Sequence, residues 1–96
     1  MRVHNIYCGL ESGAFGPLEA REIVLDLATL HFPGGHTIID ATGRWQTTDE
    51  PTVIVQVWEV DGFGKPPVGE FAGAYKEVAR QEAVVIITQE AEAVII

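Results

Sequence analysis

Few side chains in this sequence can do chemistry: it has three histidines and one cysteine. His31 and His36 stand on either side of Pro33-Gly34-Gly35. Two imidazoles facing each other across a turn can share a metal, but zinc asks for at least three protein ligands, and no third accompanies the pair. A helix-end histidine and a strand-start histidine satisfy the same spacing, and no metal or other cofactor is expected. Cys8 and His4 fall on one side of an alternating segment. A Cys–His pair makes a nucleophile only when the base is aimed at the thiol. Residues two apart on a strand occupy successive rows, so a buried structural cysteine is the expectation. The glycine-rich stretch Gly9 to Gly16 precedes Pro17 and a helix N-terminus, where anions bind. It has neither the lysine of a phosphate-binding loop nor GxGxxG spacing, and Glu11, Glu19 and Glu22 would repel phosphate. A plain loop is expected there.

The aromatic and guanidinium groups are a second set. Arg44 follows Gly43 and precedes Trp45, so its planar fork can hold a carboxylate. Trp58 can floor an apolar pocket. A ligand, if one binds, is expected to be small and apolar and to meet Tyr7, His36, Arg44, Trp45, Trp58 and Tyr75. The plainer reading pairs Arg44 with a surface acid and gives both tryptophans to packing.

The elements that must position these groups follow from periodicity. Val3 to Gly9 alternates as a strand, with His4, Ile6 and Cys8 on one face and Val3, Asn5 and Tyr7 on the other. Pro17 suits a first helical position. Ala20, Ile23, Val24, Leu27 and Ala28 form a helical stripe, so a helix is expected from Pro17 to His31, stopped by Pro33. His36 to Trp45 reads as a second strand with Gly43 marking a bulge or a close backbone approach. Gln46 to Pro51 reads as a polar turn and Thr52 to Val60 as a third strand. A second helix over Pro67 to Glu82 carries Val68, Phe71, Ala72, Tyr75, Val78 and Ala79 on one stripe. Ala83 to Thr88 is apolar at both parities, as in a strand buried on both faces. A short last strand is expected over Glu92 to Ile96.

This order predicts an α+β fold: a single ferredoxin-like βαββαβ sandwich over residues 1–96, with two helices on one face of an antiparallel sheet and a short extra C-terminal strand. The other sheet face would carry Ile54, Trp58 and Val60 together with one side of the fourth strand. An apolar face of that kind marks an interface or a ligand groove, so a homo-oligomer is expected, most simply a two-fold dimer.

The central residues Phe32-Pro33-x-Gly35-x-Thr37 and Gly43-x-Trp45, with Tyr75-Lys76 and Gln81-Glu82-Ala83-Val84 further on, resemble a family of small, mostly bacterial proteins classed as a domain of unknown function. The resemblance spans the C-terminal two thirds. It implies the same βαββαβ order and transfers no activity. Many members of that family look secreted, whereas Met1 to Asn5 here shows no apolar leader.

Charge narrows the function classes. Fourteen acids against six bases give a net charge of −8, which disfavours nucleic acid and anionic membranes as partners. A single cysteine fits a reducing compartment, and the expectation is a soluble, cytoplasmic protein. Two functions remain. One is a non-catalytic homo-oligomeric module that binds itself and a partner or small apolar ligand. The alternative is a small cofactor-independent enzyme, of isomerase or oxygenase type, with a pocket between sheet and helices.

Overall fold

A computed structural model describes residues 1–11, 14–94 and 96, and of Trp45 the backbone alone. The elements run β1 (Arg2–Gly9), α1 (Pro17–His31), β2 (Thr37–Trp45), β3 (Thr48–Glu59), α2 (Val68–Val78) and β4 (Val85–Glu90). The strands form one antiparallel sheet in the order β2-β3-β1-β4. That order, with both crossovers helical, is the ferredoxin-like α+β sandwich. None of the helices is long and apolar enough to cross a membrane.

The two helices pack on each other, α1 against β3 and α2 against β1. The core lies between them and the sheet. Ile6, Cys8, Val53 and Val55 enter it from the strands, Val24 and Ala28 from α1, and Phe71, Tyr75 and Ala79 from or just beyond α2. This is the parity the alternation of β1 and β3 demands, and deleting a ring such as Phe71 costs about 3–5 kcal/mol.

The main differences from expectation concern β3, α2 and β4. β3 begins at Thr48, because the ladder Trp45↔Thr48 to Thr42↔Pro51 runs through the stretch read as a turn. Pro51 lacks a donor, but its carbonyl accepts the Leu10 N–H at 2.9 Å. α2 stops at Val78 rather than Glu82. Arg80 turns left-handed at φ 53, and the Arg80 and Gln81 N–H groups bond back to the Glu77 and Lys76 carbonyls, closing the helix in a Schellman motif. β4 is an edge strand, not one buried on both faces: Ile86 packs on the core, while Val85 and Ile87 are 54% and 43% exposed. β4 also runs on to Glu90, so no extra C-terminal strand forms among the described residues of 91–96. The β1–β4 ladder ends at Arg2↔Glu90, and the Ala91 N–H bonds to the Met1 carbonyl.

Gly43 opposes Glu50 in an unbroken ladder, so there is no bulge. A Cβ there would stand 2.9 Å from Thr52 Oγ1, which makes it the close approach instead.

Candidate functional site

Pairing register sorts the strand residues into rows. On the helix side the rows are Glu90–Arg2–Glu59, Thr88–His4–Val57, Ile86–Ile6–Val55–Ile38 and Cys8–Val53–Asp40. On the open side they are Gln89–Val3–Trp58, Ile87–Asn5–Gln56–Thr37, Val85–Tyr7–Ile54–Ile39 and Gly9–Thr52–Ala41. No residue in these open-side rows is charged. Charged groups border that face at its ends: Glu50 in the next row beyond Thr52, and Arg2 and Glu92 around the groove beside Val3 and Trp58. At its centre Gln56 Nε2 donates to Asn5 Oδ1 at 3.0 Å, and the Trp58 indole N–H points at Gln56 Oε1 at 3.4 Å. Trp58 is 51% exposed and, with Val85, Ile87 and Ile39, puts apolar surface into water.

The charges lie elsewhere, and many are paired. On the helix side Arg21 of α1 grips Asp40 of β2 through Nε and Nη2 at 2.9 and 3.1 Å. Those hydrogen bonds hold the Asp40 carboxyl below its usual value. At the sheet's rim His4 is buried, with Nδ1 2.8 Å from Thr88 Oγ1 and Nε2 3.0 Å from Glu59 Oε1. An ionised Glu59 has no proton to give, so Nε2–H donates to it. In the neutral tautomer that donates from Nε2, Nδ1 accepts the Thr88 hydroxyl. Arg2 reaches Glu59 Oε2 at 3.9 Å and Glu90 Oε1 at 3.0 Å. A hydroxyl–imidazole–carboxylate chain is an acid–base arrangement, yet none of its three residues lines either of the two grooves beside Trp58. Sequence spacing paired His4 with Cys8; only the register of β1 against β3 and β4 reveals Glu59 and Thr88 as its partners.

The larger groove, about 590 Å³, lies beyond the start of β2, where β3 runs on past its last β2 partner at Gln56. Phe32 and Trp58 line it, the turn Pro33-Gly34-Gly35 closes one side, and Phe63 to Pro67 close the other. Phe63, 86% exposed, stands between Gly62 and Gly64, which adopt φ 87 and 81. His31 lines the groove and donates Nδ1–H to the Leu27 carbonyl at 2.8 Å. A smaller groove of about 210 Å³ on the other side of Trp58 is bounded by Met1 to Val3, Gln56, Ala91 and Glu92.

Of the six residues expected around a ligand, the five whose side chains are described do not converge. Tyr7 and Trp58 share the open face two rows apart. His36 sits at the start of β2 with Nδ1 3.1 Å from the Phe32 carbonyl, close to but not lining the larger groove. Arg44 pairs with Asp49 at 2.8 Å across the β2–β3 hairpin. The Trp45 side chain lies outside the described residues, as do Ser12 and Gly13 of the glycine loop and Ile95 of the last segment. Tyr75 is wholly buried and donates its hydroxyl to the Gly9 carbonyl. Burial, with Cys8 and Glu50 adding to it, pushes the Tyr75 hydroxyl pKa well up. Burial pushes the Cys8 thiol up to about 12, so it is inert at neutral pH. Among the described residues no three or more His, Cys, Asp or Glu side chains come together as a metal site.

No protein-family model matches the chain, and no curated protein matches it. Among solved structures it is similar to a phage SAM lyase in complex with S-methyl-5′-thioadenosine, with TM-score 0.70 and 17% identity over 93% of this chain and 80% of that one. The phage SAM lyase in its apo state gives TM-score 0.64 and 20% identity over 92% and 78%. The likeness is one of fold. It agrees with the strand order and helix layer seen here.

Proposed function

We propose that this chain is a homo-oligomeric small-molecule-binding domain whose copies pack through the open face of the sheet. The observation that carries this is the distribution of charge. In a chain of net charge −8, copies can approach closely only where they are uncharged, and the four open-side rows are uncharged and rich in exposed apolar groups. Burying apolar area at about 25 cal/mol per Å² rewards such a contact. Charged groups anywhere else would repel or require desolvation.

The ligand class follows from what that face offers at its centre, where a small molecule is enclosed between two copies. Asn5 and Gln56 present amides, which read an adenine edge, and Trp58 and Tyr7 present rings on which a base can stack. A neutral, mostly apolar nucleoside suits this better than a phosphate. S-methyl-5′-thioadenosine, the molecule bound to the phage SAM lyase of like fold, is of that kind and is the probe of choice. Titration should shift the amide signals of Asn5 and Gln56. Gln56→Leu should weaken binding about 5–10-fold, since each hydrogen bond to a neutral partner is worth about 0.5–1.5 kcal/mol. Shifts confined to the helix layer would contradict the placement.

A second reading, a cofactor-independent lyase acting on a sulfonium nucleoside, is favoured by the extent of the likeness, which covers 93% of this chain. A sulfonium is itself a good leaving group, and a chain of net charge −8 attracts a cation over the distances where electrostatic steering acts. Incubation with SAM and chromatography for S-methyl-5′-thioadenosine decides between the two. Release above the spontaneous rate supports the lyase; ligand binding without release supports the binding domain.

A further inference from the structure

The larger groove has a charge opposite to that of the molecule. None of the chain's 14 acidic residues lines it, whereas Lys65 and His31 do. The acids nearest in sequence are engaged elsewhere: Glu59 with His4 and Arg2, Asp61 with the N-terminal ammonium at 3.3 Å. The remaining lining is flat and apolar, with Trp58 and Phe32 as rings and Pro33, Pro66 and Pro67 as stiff walls. A volume of about 590 Å³ is within the usual range for small-molecule sites.

We propose that this groove is a binding site for a flat, apolar carboxylate. The aromatic body lies against Trp58 and the prolines, and the carboxylate meets the Lys65 ammonium. The net charge of −8 does not prevent this, because in physiological salt charges are screened beyond about 8 Å and the local cations decide. A carboxylate fits better than a phosphate dianion, which would require more donors than one lysine provides. The site does not depend on self-association through the sheet.

A charge series on one ring system tests it. Indole-3-acetate, indole-3-acetamide and tryptamine are titrated into the protein, with the amide signals of Gly34 and Gly64 and the Trp58 indole signal followed by NMR. The acetate should bind about 3–5-fold more tightly than the acetamide, as expected for one solvent-accessible ion pair, and tryptamine should bind weakest. Lys65→Met should bring the acetate to the level of the acetamide and leave the acetamide unchanged. Lys76→Met, remote from the groove, should change neither. Repeating the series on Ile54→Lys, which alters the sheet face and leaves the groove intact, should give the same order. Equal affinity for acetate and acetamide, a response centred on Tyr7 and Ile87 instead of Gly34 and Gly64, or no response to any of the three would overturn the proposal.

Discussion

Cys8 and Tyr75 occupy one corner of the core, and each makes a residue-level prediction. The Cys8 thiol is fully buried and its pKa is raised from 9.0 to about 12 by burial. The unfolded chain therefore ionises first as pH rises. The stability this group contributes is whole below its unfolded pKa and is lost progressively as pH climbs from about 9 toward about 12. Urea midpoints measured across that range should fall more steeply for the wild type than for Cys8→Ala. Iodoacetamide at neutral pH should label Cys8 only at the rate of unfolding. Tyr75 donates its hydroxyl to the Gly9 carbonyl, where β1 ends. Tyr75→Phe leaves that carbonyl without this donor and should cost about 1–3 kcal/mol, read as a lower urea midpoint with unchanged slope. Tyr75 was among the residues expected to meet a ligand; its place in the helical stripe with Phe71 and Ala72 was the better guide, because a fully buried ring is held by packing.

Among the elements, the end of α2 is the most informative. The helix closes with Arg80 in the left-handed region, a conformation that costs a side-chain-bearing residue about 1 kcal/mol or more and glycine almost nothing. Arg80→Gly should therefore stabilise the protein by about 1 kcal/mol, seen as a higher urea midpoint. Sequence overran this helix to Glu82 because nothing at position 80 signals a left-handed cap. It placed α1 correctly because Pro17 and Pro33 bracket a clean apolar stripe. The faces of β1 and β3 were legible from strict alternation, and so was the apolar open side. Sheet order followed from the βαββαβ pattern, but β4 reads as doubly buried from its composition, whereas Val85 and Ile87 lie on the uncovered side of the sheet and face water. The polar partnerships His4–Glu59–Thr88 and Arg21–Asp40 join residues 55, 84 and 19 positions apart. Single-sequence periodicity carries no information about such pairs.

For the whole molecule, the account rests on an asymmetry between the two sides of the sheet. Helices and paired charges cover one side, and the other shows rows of uncharged, partly apolar residues to water. An isolated copy would leave Trp58, Val85, Ile87 and Ile39 unshielded. Sedimentation equilibrium at micromolar concentration, comparing the wild type with Ile54→Lys, tests this most directly. The account predicts a mass of two or more whole copies of 10.4 kDa for the wild type and a folded 10.4 kDa monomer for Ile54→Lys, whose new charge sits in the middle of the face. A wild-type chain that sediments as a monomer, or an Ile54→Lys chain that assembles as the wild type does, would contradict it.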